Sequence, residues 1–182
     1  MKNHSLTIIA SGLDDLGDAF ADRFFEAGCD DATVAIQKGL FVLEFDREAR
    51  TFTHALVTAM RDVPRAGATV ERVEPDYLVS AAEIAKRSDL GRAAISLYAK
   101  GERGHDFPSP IARITSESPL YDWAEVAAWL HHHGRLPLTE VVQARTVREV
   151  NRFVMREQPG RSFLARQLRT GRTQILELPL AA

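Results

Sequence analysis

Residues 78–104 read LVSAAEIAKRSDLGRAAISLYAKGERG, and two short helices are predicted within them. The first begins at a capping box, in which the Ser80 hydroxyl accepts from a backbone N–H three residues on and Glu83 returns to the cap. The pair Ser88-Asp89 interrupts this helix, and a second helical stretch covers about residues 91–100. Two short helices joined by a tight polar turn are typical of a helix-turn-helix.

Apolar spacing gives the second helix a packing face and an outward face. We predict that Ile95 and Tyr98 anchor it in the core. The outward face then holds Arg92, Ala93, Ser96 and Lys100. In a helix that enters the DNA major groove, an arginine can bond guanine O6 and N7 together, so Arg92 is the predicted base reader. Ser96 is placed to reach a base or a phosphate, and the residues expected mainly at phosphates are Lys86, Arg87, Lys100 and Arg103.

A small hairpin and a third helix are predicted downstream. After a proline-containing linker, residues 111–115 and 120–121 flank a polar turn, which predicts a β-wing over about 111–121. Asp122 and Glu125 form a second capping-box pattern that opens a helix over 123–133. Its two tryptophans, Trp123 and Trp129, are predicted to lie in the core. Together these elements indicate a winged domain.

Residues 78–133 resemble the winged helix-turn-helix of MerR-type regulators and phage excisionases. The resemblance rests on the stretch quoted above and on the segments FPSPIARI and LYDWAEVAAWL. It implies double-stranded DNA as partner, with Arg92 and Ser96 as recognition-helix contacts. It also implies that Arg113 and Thr115 of the wing contact DNA. The turn holds Ser88-Asp89-Leu90, where glycine is common in that family.

Residues 1–77 predict an α+β module. Strands are expected at 6–10, 33–37, 40–45 and 69–73, with helices at 13–27 and 50–63. Lys38-Gly39 suits a tight hairpin, and Pro64 is expected to end the second helix. The order is that of a ferredoxin-like βαββαβ sandwich. Phe41 and Phe45 are predicted to be core residues, because an acidic module lacks the basic tract of an RNA-binding sheet.

Charge is distributed unevenly along the 182 residues, although the net charge is only −2. Residues 1–77 carry 8 Lys or Arg against 14 Asp or Glu, whereas residues 134–182 carry 9 against 4 and all nine are arginine. Such asymmetry suggests separate modules. We therefore expect three parts: the α+β module at 1–77, the winged domain at 78–135 and an arginine-rich helical tail at 136–182. The acidic module is expected to face away from DNA.

The sequence of the tail predicts a long helix, which is capped by Thr139 and ends near Glu157. Its expected apolar face consists of Val142, Val150, Phe153 and Val154. A shorter helix at 161–168 and a strand at 173–178 are predicted to follow. Three roles remain open for the tail: packing on the acidic module, contacting DNA phosphates, or forming a dimer interface.

The sequence gives little support for metal binding or catalysis. The run His131-His132-His133 cannot direct three imidazoles at one ion from consecutive helical positions, so we expect no metal and interpret it as a helix C-terminal cluster. Cys29 is the single cysteine and is expected near a turn. The common phosphate-loop, dinucleotide, zinc-protease and hydrolase motifs do not occur. We therefore expect no enzyme, no catalytic residue and no cofactor.

The resulting hypothesis is a sequence-specific DNA-binding protein that regulates transcription as a homodimer. Residues 1–10 carry one lysine before a short apolar run, which is too little for a signal peptide. No apolar run is long enough to span a membrane. We therefore expect a cytoplasmic protein. Two alternatives stay open. The first is a protein-interaction adaptor or antitoxin-like protein that keeps the helix-turn-helix fold. The second is an enzyme or ligand sensor, with a small-molecule effector or protein partner at the N-terminal module.

Overall fold

A computed structural model of the chain describes residues 1–13 and 19–157. Within them the protein is α+β, with a four-stranded antiparallel sheet, a two-stranded sheet and six α-helices. The elements are β1 (Lys2–Ser11), α1 (Phe20–Glu26), β2 (Ala32–Gln37), β3 (Leu40–Ala49), α2 (Phe52–Asp62), β4 (Thr69–Glu74), β5 (Leu78–Ser80), α3 (Ala81–Ser88), α4 (Arg92–Ala99), β6 (Leu120–Asp122), α5 (Trp123–His132) and α6 (Leu138–Glu157). No helix of the described residues has the length and apolar content to cross a membrane.

The larger sheet has the strand order β2-β3-β1-β4. Strand β1 is central and pairs antiparallel with β3 on one side and β4 on the other. Leu6, Ile8 and Ala10 alternate toward the core, which also buries Phe41 and Phe45 as predicted. The hairpin is confirmed, since Lys38 and Gly39 both have positive φ, as its tightest turn type requires.

Strands β1 and β3 are longer than the predicted 6–10 and 40–45. Beyond Phe45, charged residues alternate with buried Arg47 and Ala49, while the strand continues to pair with β1. The apolar run therefore marks only one half of each strand, the C-terminal half of β1 and the N-terminal half of β3. Where charged side chains occupy the exposed face, pairing extends past the run.

Both predicted helices of residues 1–77 are shorter in the structure. Leu13 is buried but not helical, residues 14–18 of the predicted helix lie outside the described residues, and α1 begins only at Phe20. Gly28 follows α1 with φ of 94°, as expected of a C-terminal glycine. Helix α2 ends at Asp62, but the chain continues as a 3-10 turn, Val63–Ala66. The α-helix therefore ends before Pro64, as predicted, and the proline occupies the first turn of the 3-10 segment, where its missing N–H is tolerated.

A buried ion-pair cluster joins the elements of this unit. The Arg47 guanidinium, on β3, donates to both carboxylate oxygens of Asp31 at 2.7 and 2.8 Å and to Asp62 at 2.8 Å. It also donates to the carbonyl oxygen of Gly28 at 2.7 Å. Nearby Cys29 is buried, and desolvation raises the pKa of its thiol to about 11. Arg47 lies beyond the predicted strand 40–45, and its partners could not be predicted from the local sequence.

A second core lies beneath α3, α4, α5 and the small sheet. It buries Val79, Ile84, Ile95, Tyr98, Tyr121, Trp123, Trp129 and Leu130, so Tyr98 and both tryptophans are core residues as predicted. The predicted hairpin between 111–115 and 120–121 is shorter than expected. Ala112 and Leu120 exchange backbone hydrogen bonds of 3.2 and 2.9 Å, and β6 also pairs with β5. Arg113 adopts a φ of 51°, which interrupts an extended strand.

Helix α6 packs against both cores. Val141 and Ala144 belong to the second core, and Val147 and Val154 to the first. The amide of Asn151 accepts from the Val73 N–H at 2.7 Å and donates to the Val73 carbonyl at 2.9 Å, so it pairs with the outer edge of β4. Helix α6 therefore connects residues 1–77 with residues 78–135 by packing against both.

The predicted face and start of this helix require correction. Val142 and Phe153 are exposed, and the buried positions are Val141, Ala144, Val147, Asn151 and Val154. The helix begins at Leu138, one residue before Thr139. Val154 is buried and Val150 packs against the first core, as predicted. Apolar residues marked the buried face only in part, because polar Asn151 also belongs to it. The predicted helix at 161–168 and strand at 173–178 lie outside the described residues.

Candidate nucleic-acid interface

Helix α3 begins at the predicted capping box. The Glu83 N–H donates to the Ser80 hydroxyl at 3.3 Å, and the Ser80 N–H donates to the Glu83 carboxylate at 2.7 Å. The hydrogen bonds from the Ser80 backbone and side chain lower the pKa of Glu83. Because both halves of the box form, the first turn of the helix is fixed relative to β5.

The turn between α3 and α4 spans three residues. Asp89 is left-handed, with φ of 54°, and its N–H donates to the Ala85 carbonyl. The Leu90 N–H donates to the same carbonyl at 3.1 Å. Gly91 is the N-cap of α4 and has extended backbone angles. Aspartate tolerates the left-handed region better than most residues, so the turn forms without a glycine at this position.

Aromatic packing fixes the orientation of α4. The Tyr98 ring meets the Trp129 ring edge-on at 4.9 Å, and Phe107 contacts the same tryptophan at 5.1 Å. The Trp129 indole donates to the His105 carbonyl at 2.8 Å. A Cβ at Gly104 would lie 2.9 Å from Trp129, so this loop position requires glycine. The loop after α4 is thus held against α5.

The outward face of α4 matches the prediction. Arg92, Ala93, Ser96 and Lys100 are all exposed. Arg103 is also exposed, with its guanidinium 5.6 Å from the centre of the Tyr98 ring. Among the described residues, none of these cations forms an ion pair with a carboxylate. The face therefore presents unneutralised positive charge beside a small side chain and a hydroxyl.

Arg113 and Thr115 lie on the exposed loop between the paired residues Ala112 and Leu120. The loop is ordered by its own hydrogen bonds, because the Ser116 hydroxyl donates to the Arg113 carbonyl at 2.9 Å and the Ser118 N–H donates to that hydroxyl at 3.2 Å. Ile111 and Ile114, on either side of Arg113, are exposed as well. The loop therefore projects an arginine between two apolar side chains.

Arg87 lies apart from the other predicted DNA contacts. Its guanidinium is 5.4 Å from the centre of the Trp123 ring, and its side chain lines a cavity between α3 and α6. Desolvation lowers the pKa of this half-buried arginine. Helical spacing could not reveal this position, because Trp123 is distant in sequence.

The second predicted capping box forms only in part. Asp122 caps α5 by accepting from the Ala124 N–H at 2.9 Å. Glu125 does not return to the cap, since its carboxylate accepts from Arg148 of α6 at 2.6 Å. Arg148 also donates to Asp122 at 3.2 Å, so this tail arginine joins α6 to the second unit.

Two histidines of the run donate hydrogen bonds to backbone carbonyl groups around the end of α5. His131 donates through Nδ1 to the Leu136 carbonyl at 2.8 Å, and His133 donates to the Trp129 carbonyl at the same distance. The His133 ring also stacks on Trp129 at 3.8 Å. Within residues 1–13 and 19–157, no three His, Cys, Asp or Glu side chains are arranged to hold a metal.

Comparison of the chain with protein-family models, curated proteins and solved structures gives no match.

Proposed function

We propose that this protein is a sequence-specific double-stranded DNA-binding protein, a cytoplasmic transcriptional regulator of bacterial or phage type. In this proposal residues 78–135 form a winged helix-turn-helix and α4 enters the major groove. The observation that carries it is the exposed face of α4, whose cations lack carboxylate partners among the described residues while Ile95 and Tyr98 fix the helix from behind. Such a rigid, positively charged helix face matches what base readout needs.

Each outward side chain has an assigned role. Arg92, at the first turn of α4, donates to guanine O6 and N7, and Ser96, one turn later, contacts a base or phosphate. Ala93 leaves room for close approach of the helix. The phosphate contacts are Lys100, Arg103, Arg113 and Thr115. Arg87 receives no DNA contact here, because its side chain lies over Trp123 and lines a cavity.

The N-terminal unit has a separate role in the proposal. We propose that it is a ferredoxin-like sandwich, a proposal supported by its strand order β2-β3-β1-β4 with α1 and α2 as connections. It is acidic, so we propose that it faces away from DNA, and we assign it no enzymatic activity. One short recognition helix contacts few base pairs, so a homodimer on paired half-sites is part of the proposal. Light scattering of the free protein and of its DNA complex measures that stoichiometry.

Selection of bound fragments from genomic DNA tests the proposal. The wild type is expected to enrich one motif, and Arg92→Ala is expected to lose that enrichment. Arg50→Ala is the matched control, since Arg50 is exposed, lies in the N-terminal unit and loses the same charge. Failure of the wild type to enrich any motif, even at low salt, would remove the regulator hypothesis.

Exposed Ile111 and Ile114 favour a second candidate, a protein-interaction adaptor. These large apolar side chains are 52% and 69% exposed on one loop, as expected where a protein partner docks. In that case Ile114→Ser abolishes partner binding while Arg92→Ala does not. If DNA is the ligand, Arg92→Ala has the larger effect on the enriched motif.

A further inference from the structure

A cavity of about 210 Å³ lies where the two units and α6 meet. Its walls come from β1, α2, β4, α3, α5 and α6. Three aromatic side chains, Phe52, Tyr77 and Trp123, give it a largely apolar interior. This volume is below that of a typical drug-sized site, so it suits a ligand of about ten heavy atoms.

Arg87 places one positive charge in this cavity. The side chain is half-buried, lies over the Trp123 ring, and has no ion pair or hydrogen bond among the described residues. The carboxylates of Glu83 and Asp76 act on its charge electrostatically without forming an ion pair with it. A desolvated guanidinium without an anionic partner is costly, and a planar carboxylate satisfies it with two parallel hydrogen bonds.

The acidic residues of the cavity limit the ligand's charge. Glu74 is neutralised by Arg72 at 3.0 Å, whereas Glu140 has no ion pair among the described residues. Gln143, one turn further along α6, offers an uncharged amide to the same space. A single carboxylate can pair with Arg87, but a second negative charge would meet Glu140 without a cation to offset it.

We propose that the cavity binds a small monocarboxylic acid with an apolar body, its carboxylate on Arg87 and its body among Phe52, Tyr77 and Trp123. This proposal goes beyond DNA binding and does not depend on it, since ligand affinity is measured on the protein without DNA. The ligand contacts both units, because Phe52 belongs to one and Arg87 to the other.

Calorimetric titration of the full chain with phenylacetate tests the site. Phenylacetate is expected to bind, while phenylacetamide, which lacks the charge, and phenylsuccinate, which carries two charges, are expected not to. Arg87→Gln is expected to weaken phenylacetate binding at least about tenfold, the effect of one charge-assisted pair. Arg103→Gln is the matched control, since Arg103 also lies over an aromatic ring but outside the cavity.

A second variant keeps the test decisive if Arg87→Gln is unstable. Glu140→Gln removes the unpaired carboxylate from a partly exposed helix position, so it is expected to fold and to admit phenylsuccinate. Absence of phenylacetate binding to the wild type would overturn the proposal, as would equal binding of phenylacetamide. Equal losses in Arg87→Gln and Arg103→Gln, or unchanged discrimination against phenylsuccinate in Glu140→Gln, would overturn it too.

Discussion

Three arginines show that the same type of side chain takes different roles in different surroundings. Arg47 is buried between two carboxylates, Arg87 lies over an indole, and Arg92 extends from an exposed helix face. Only the last could be predicted from the sequence, because helical spacing places it opposite buried Ile95 and Tyr98. The partners of the other two come from distant parts of the chain, 15 and 16 residues from Arg47 in the case of its aspartates.

Replacing Arg47 is expected to destabilise the N-terminal unit strongly. Arg47→Met removes the buried cation between Asp31 and Asp62. Because exposed Arg61 and Arg65 still pair with Asp62 at 3.1 and 3.0 Å, we expect a loss at the lower end of the range of about 3–5 kcal/mol for breaking a buried pair. Urea unfolding followed by circular dichroism measures the loss. Arg50→Met, an exposed neighbour, is expected to change the free energy of unfolding by about 0.5 kcal/mol or less. Similar unfolding midpoints for the two variants would contradict the assigned role of the cluster.

At the scale of elements, the local signals were the reliable ones. The capping box at Ser80 predicted the start of α3, and the turn and periodicity predicted α4. The segment 111–115 pairs with β6 only at Ala112, because left-handed Arg113 ends the extended run, and β6 also pairs with β5. Strand pairing depends on residues about 40 positions away, which no local pattern contains.

The capping box gives α3 a pH-dependent stability. The pKa of Glu83 in the folded protein lies below its ordinary value of 4.5, because Ser80 donates hydrogen bonds to the carboxylate. The contribution is therefore complete above pH 4.5 and is lost as the pH falls through the lower, folded-state pKa. Thermal unfolding should show Glu83→Gln less stable than the wild type at neutral pH, with the difference shrinking in acid. A difference that stays constant down to the acid limit would exclude this cause.

At the scale of the whole molecule, α6 is the element that unites two cores. Apolar spacing predicted its buried face only in part, because the helix packs on two different surfaces and uses the polar side chain of Asn151 at the sheet edge. The tail that the charge distribution set apart is thus, over residues 138–157, part of both units. Packing on the acidic module was one of the three roles left open for the tail.

Replacing Asn151 tests this connection. Asn151→Leu leaves the Val73 N–H and carbonyl unpaired at the edge of β4, and each buried unpaired group costs about 1–3 kcal/mol. Hydrogen exchange is expected to show the Val73 amide losing protection, together with a lower free energy of unfolding. Arg145→Leu, an exposed substitution on the same helix, is expected to leave both unchanged. Retained protection at Val73 in Asn151→Leu would show that other contacts hold α6 there.

The central claim is that the outward face of α4 reads base pairs. The most direct measurement is the affinity of wild type and Arg92→Ala for the enriched DNA motif and for each of its single-base-pair substitutions. The wild type should discriminate at a G·C pair by about 1–3 kcal/mol, and Arg92→Ala should lose the discrimination at that position alone. Equal discrimination by the two proteins at every position would contradict the claim.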